Sequence, residues 1–181
     1  YTAHLDYLDD AYYNVRGYDG STWEEIPIPT TVEEVLKRNV ASQRDDAIRL
    51  FIEQAKKDRA AGYTIILGGD FNEPSFLDWT QRAADAGIHK IKVEWPATKA
   101  FSEIGMNDSY RTIHPDEVST PGYTWTPVPS EQEILDRLDF VLYSGCKVTD
   151  SFITGESEAT SDVVVSPYPS DHRMVTSCFN F

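Results

Sequence analysis

The chain has 181 residues, thirty acids against sixteen bases for a formal net charge of −14, and is 40% apolar and 12% aromatic. That length and composition suit one ordered domain with a substantial core, and no apolar run approaches the length that spans a bilayer, so the sequence reads as soluble and globular. The acid excess repels a nucleic-acid backbone unless a local patch or a metal overrides it, although plain solubility also accounts for such an excess.

Cys146 and Cys178 form no CxxC pattern and have no clustered ligands, which argues against zinc. Both fall in strand-like runs, where they either pair as neighbours in an oxidising compartment or stay as buried free thiols. The opening YTAHLDYLDD has no initiator Met and no signal-peptide pattern, and starts as though in mid-strand, so we expect a segment upstream of Tyr1. Acidity and aromatic content point to a secreted, periplasmic or envelope location.

Tyr1 to Leu5 alternates as a short strand, with His4 and Asp6 leaving it on the same side. His4 is a candidate ligand or phosphate donor, or a structural histidine at a strand end. Residues 7 to 30 show no countable period and read as a long aromatic-rich loop insertion. Tyr12, Tyr13, Tyr18 and Trp23 there form either a wall for a substrate or a self-packed surface. Thr31-Val-Glu-Glu34 is a capping box that starts a short helix to about Lys37. Val40, Ala47, Ile48, Phe51, Ile52 and Ala55 then recur at helical intervals, predicting a longer helix to Ala61 that Gly62 stops and that covers one face of a sheet.

The stretch Tyr63 to Asn72, YTIILGGDFN, is the one around which the chain is organised. Its apolar run suits a strand buried on both faces, and Gly68-Gly69 admits a second backbone or a ligand. If the chain stays extended, Asp70 and Asn72 point to one side and converge on a water or a phosphate oxygen. The competing reading is an Asx-turn before Pro74. Ser75 predicts a capped helix over residues 76 to 86, ended by Gly87. Further on, a strand near residues 91 to 95, a short helix around 99 to 104, a strand-like Gly122 to Trp125 and helical character over 130 to 135 are expected. His89 and His114 receive no role.

Arg137 to Tyr143 is a second informative strand. Leu138, Phe140 and Leu142 share one face, and Asp139 lies on the other, an acid in an apolar strand that requires a partner. Arg137 would make that pair structural, and a histidine would make it functional. Ser170-Asp171-His172 precedes a closing strand from Met174 to Phe181 and supplies such a histidine, unless Asp171 only caps the turn after Pro169.

Four separated pieces, AHLD at residues 3 to 6, GGDFN at 68 to 72, RLDFVL at 137 to 142 and SDH at 170 to 172, together resemble the endonuclease/exonuclease/phosphatase superfamily of DNase I-like, metal-dependent phosphoesterases. GYTW at residues 122 to 125 is similar to the strand before that family's RLD segment. The resemblance implies an α/β fold, a four-layer sandwich of which this chain would supply the second half. It also implies Mg²⁺- or Mn²⁺-assisted attack of water on a phosphoester. Asp70 would orient or deprotonate the water, Asn72 would hold the phosphate or help place the water, and Asp171 would be a metal ligand. His172, held by Asp139, would bind the phosphoryl oxygen, with His4 donating to the same phosphate.

The family's Asn and metal-binding Glu lie upstream of its HLD motif, where this sequence has nothing. The resemblance therefore implies a chain that alone is inactive or nearly so. An apolar sheet face would pair with the missing N-terminal half or with a second copy, giving a homodimer. A lipid headgroup, sugar phosphate or other small phosphoester is favoured over nucleic acid by charge. A non-catalytic ligand- or partner-binding module on the same fold is the alternative.

Overall fold

The computed structural model describes residues 1–130 and 133–181. Among these, four strands, Thr2–His4 (β1), Ile65–Asp70 (β2), Asn107–Asp108 (β3) and Asp139–Ser144 (β4), form one mixed sheet in the order β1-β2-β4-β3. Three more, Lys147–Gly155 (β5), Val163–Val164 (β6) and Met174–Asn180 (β7), form a second in the order β6-β5-β7. β1 runs parallel to β2, and β4 runs antiparallel to it. The register sets His4 opposite Asp70 and Asp70 opposite Asp139, so three polar side chains lie in one row across three strands. The architecture is the mixed α/β one that the sequence implied.

The helices are Ala11–Asn14 (α1), Val32–Asn39 (α2), Arg44–Ala60 (α3), Gln81–Asp85 (α4), Pro96–Glu103 (α5) and Ser109–Ile113 (α6). Ile48 and Phe51 of α3 and Phe101 of α5 pack against Ile65, Leu67, Phe140 and Leu142 of the first sheet, with Phe71 between them. A second apolar cluster gathers Tyr12, Tyr13, Val35, Trp79, Trp95 and Leu138. No helix among the described residues is long and apolar enough to cross a membrane.

The double glycine has a steric cause. A Cβ on Gly69 would lie 1.8 Å from the carbonyl oxygen of Ala3, so only glycine lets β1 pair this closely with β2. We expect Gly69→Ala to lower the unfolding free energy by roughly 3 kcal/mol, because β1 must be displaced. The urea midpoint checks this, and a wild-type midpoint would refute the steric account.

Several local expectations need correction. Tyr63 is 67% exposed and precedes β2, which starts at Ile65, because Gly62 has already turned the chain at φ +87°. The long helix starts at Arg44, leaving Val40 exposed as the residue after α2, although the Thr31–Glu34 capping box forms as expected. Ser75 closes a tight turn that buries Trp79, and the next helix begins only at Gln81, capped by Thr80, whose hydroxyl accepts from the Ala83 N–H. Residues 91–95 form no strand, since Val93 and Trp95 are drawn singly into the second cluster. Gly122 to Trp125 makes isolated bridges instead of a strand. In the helical expectation for 130–135, residues 131 and 132 lie outside the described residues, and 133–135 are not helical.

The loop over 7–30 carries α1, and Tyr12 and Tyr13 are 2% and 3% exposed, so neither forms part of a substrate wall. Trp23 remains exposed. Both cysteines are free, with Cys178 exposed and Cys146 half-buried, so neither pairing nor burial holds.

Candidate active site

The row of polar residues is completed by His172, which enters from the residues just before β7. Its Nδ1 lies 2.8 Å from Asp139 Oδ2, and its Nε2 lies 3.8 Å from Asp70 Oδ2. From β1, His4 Nε2 approaches the same Asp70 oxygen at 3.6 Å. Two imidazoles thus face one oxygen of one half-buried carboxylate. Asp139 takes the histidine as its partner; Arg137 turns the other way and is buried against Asp78 and Asp108.

The electrostatics follow from this crowding. Burial pushes the Asp70 carboxyl above its usual range, and the neighbouring Asp139 charge pushes it further. For His172, burial works against the charged ring, but the Asp139 hydrogen bond and the charges of Asp139, Asp70 and Asp171 outweigh it, and the imidazole is raised. The carboxylate of Asp139 can only accept, so the proton between them sits on Nδ1 and Nε2 is directed to the Asp70 side.

Asn72 does not continue the strand. At φ +47° it turns the chain, its N–H donates to Asp70 Oδ1 at 2.8 Å, and its Nδ2 donates to the Leu5 carbonyl at 3.0 Å. The Asx-turn reading therefore describes its backbone geometry, and the extended chain on which the convergence of the two side chains depends ends at Asp70. Asn72 fixes the Asp70 carboxylate and ties β1 to it. Asp171 is exposed; its backbone carbonyl accepts from the Thr126 hydroxyl, and its carboxylate stands outside the central group.

Sequence reasoning missed the residues that hold this row in place. Thr124 Oγ1 accepts from the N–H groups of Leu138 and Asp139, while its carbonyl accepts from the Arg173 N–H, so one residue joins the start of β4 to the start of β7. Trp125 packs on the His172 ring at a centroid distance of 4.7 Å. Its indole N–H is shared by Tyr13 Oη and Glu133 Oε2, each at 2.9 Å, and the Tyr13 hydroxyl donates to the same Glu133 oxygen at 2.7 Å. The GYTW pattern was visible, but nothing in sequence spacing connects it to Tyr13.

Asp70, Asp139 and His172 each offer a ligand atom within 4.8 Å of the others. The residues fit a hard divalent ion best on the Asp70 side. Asp139 is committed to His172, whereas among the described residues Asp70 Oδ2 has no closer protein partner than the two imidazoles. A cation there would also relieve the repulsion between the two acids.

The family model for Endonuclease/Exonuclease/phosphatase proteins matches residues 4–172, a span that begins at His4 and ends at His172. The chain belongs to that family. An uncharacterized protein of Caenorhabditis elegans is 35% identical over 130 residues, 65% of this chain and 41% of its own length. Nocturnin from rat and from mouse is each 30% identical over 86 residues, covering 45% of this chain and 20% of the relative. The matched stretch is thus well under half of each of these proteins. Endonuclease/exonuclease/phosphatase enzymes hydrolyse phosphoesters and generally use divalent metals, and the Asp70, Asp139 and His172 group is a candidate site for one.

Proposed function

We propose that the chain carries part of the catalytic machinery of a divalent-metal-dependent phosphoester hydrolase in which water attacks phosphorus in line. The observation that carries this reading is the pair of imidazoles, His4 and His172, facing one oxygen of the desolvated Asp70 carboxylate. With its proton affinity raised, Asp70 orients the attacking water and accepts its proton. His172 donates from Nε2 to a phosphoryl oxygen as charge develops there, and Asp139 keeps its other nitrogen protonated and its ring in place. His4 donates to the same phosphate from the opposite side. Asn72 acts on the water through the carboxylate that it fixes. Mg²⁺ or Mn²⁺ near the Asp70 row, with Asp171 as a ligand at the rim, would neutralise phosphate charge and polarise the ester.

Small phosphoesters, such as sugar phosphates and lipid headgroups, fit the net charge of −14 better than a duplex does. With one free carboxylate at its centre, the chain alone should bind the ion weakly. We expect it to hydrolyse bis-p-nitrophenyl phosphate at least about 100-fold more slowly than a polypeptide extended upstream, and EDTA to abolish the activity of both. Equal, metal-dependent rates would overturn the requirement for further ligands; EDTA-resistant turnover would overturn the metal.

A groove of about 580 Å³ is lined by Asp139 and His172 together with Val141, Val165, Tyr168, Met174 and Val175, and Val163, Val164 and Met174 are exposed. This face supports the expectation that the chain by itself dimerises. Sedimentation at high concentration should show a dimer, and a monomer throughout would refute it.

A further inference from the structure

Away from the Asp70 row, and sharing no residue with it, a cavity of about 350 Å³ opens beside Trp79. His89 lines it, 7% exposed, with its ring stacked on the Trp79 indole at 4.1 Å between centroids and 15° between planes. Burial, followed by the charge of Arg16, pushes this imidazole down to about 4, so it is neutral at pH 7. Its Nδ1 is fully buried and has no partner among the described residues. A lone pair tolerates that position better than an N–H, which places the proton on Nε2, the nitrogen that keeps contact with the cavity.

Two cations share the lining. Arg16 is anchored by one hydrogen bond, Nη1 to the Glu133 carbonyl at 2.9 Å, and the Glu133 carboxylate is itself taken up by Tyr13 and Trp125. Lys90 follows His89 directly and is exposed. Arg38, Arg82, Lys92 and Lys99 pair with carboxylates, whereas Arg16 and Lys90, like Lys37, Lys56, Lys57, Arg59 and Lys147, have no carboxylate within ion-pair distance among the described residues. The polar side chains of the lining are the His89 imidazole, the Arg16 guanidinium, the Lys90 ammonium and the Tyr18 hydroxyl, each of which can donate. Val15 and Ile134 supply apolar wall next to it.

We propose that this cavity binds a small phosphate-bearing anion, held by His89 Nε2–H, Arg16 and Lys90. A site with two positive charges and several donors is complementary to a dianion with three terminal oxygens, whereas a simple carboxylate offers one charge and two oxygens. The apolar wall leaves room for the organic part of a phosphomonoester.

The test is an NMR titration of the whole chain, following the imidazole resonances of its four histidines, assigned by single His→Gln variants. Inorganic phosphate, glycerol 3-phosphate and acetate are added separately. Saturable movement of His89 with inorganic phosphate, and at equal or higher affinity with glycerol 3-phosphate, is the expected result. Arg16→Gln and Lys90→Gln, both at exposed side chains, should each weaken it about tenfold. Three results would overturn the proposal: an equal response to acetate, a response unchanged in both variants, or movement confined to His4 and His172, which would put the anion at the Asp70 row.

Discussion

Asp70→Asn in the upstream-extended protein is expected to lower kcat for a phosphodiester by about 10³-fold, the scale of a lost general base, with little change in KM. The substitution is close to isosteric. Its amide oxygen still accepts from the Asn72 N–H, so the turn that ties β2 to Leu5 persists and the loss is chemical. His4→Gln should cost far less, about tenfold, because His4 lies at the open edge of the row on a three-residue strand. Circular dichroism and the urea midpoint should match wild type for both. A kcat for Asp70→Asn within about tenfold of wild type would end the assignment of Asp70 as the base. Unchanged ligand binding with lost turnover would separate an enzyme from a binding module.

The second large effect concerns stability. Arg137 is 1% exposed, with Nη1 2.7 Å from Asp108 Oδ2 and Nη2 2.8 Å from Asp78 Oδ2, and Arg111 shares Asp78 from the other side. Burial works against the Arg137 charge, but the two carboxylates more than offset it and hold the guanidinium protonated. Arg137→Met keeps the apolar stem and removes the cation, leaving Asp108 buried without its partner and Asp78 with only one. The expected loss is about 3–5 kcal/mol, read from equilibrium urea unfolding. Adding Asp108→Asn should restore about 1–2 kcal/mol of it, since the stranded charge is then gone. A single-variant loss below about 1 kcal/mol would mean that this network contributes little.

Both substitutions act on motifs that were legible before any coordinates. The GGDFN and RLDFVL runs could be placed because each combines a local period with a residue that breaks it: two glycines after a buried run, or an acid in an apolar strand. That the acid chooses histidine over arginine was left open by the spacing, because Arg137 is two residues away in sequence whereas His172 is 33 residues away; the pairing is decided by β4 meeting the start of β7. Boundaries were read less well where tertiary burial overrides local preference. Trp79 is drawn into the core and delays α4, and Val93 and Trp95 are buried without strand pairing. For Asn72, a period-two argument holds only while the chain stays extended, and the chain turns there. The resemblance rests on the order of four short pieces, and the family match over residues 4–172 runs from within the first to the last of them.

The hydrogen bonds joining Tyr13, Glu133 and Trp125 change what the segment over residues 7–30 is for. A loop that only presents aromatic side chains to a ligand is modular: it can be exchanged between homologous enzymes to alter selectivity while the reaction centre is left alone. Here the same segment is a buttress behind the ring of His172, through Trp125. Grafting a foreign loop at this position would therefore redirect the imidazole along with the surface, coupling selectivity and rate in a way that separate mutations of either could not reproduce.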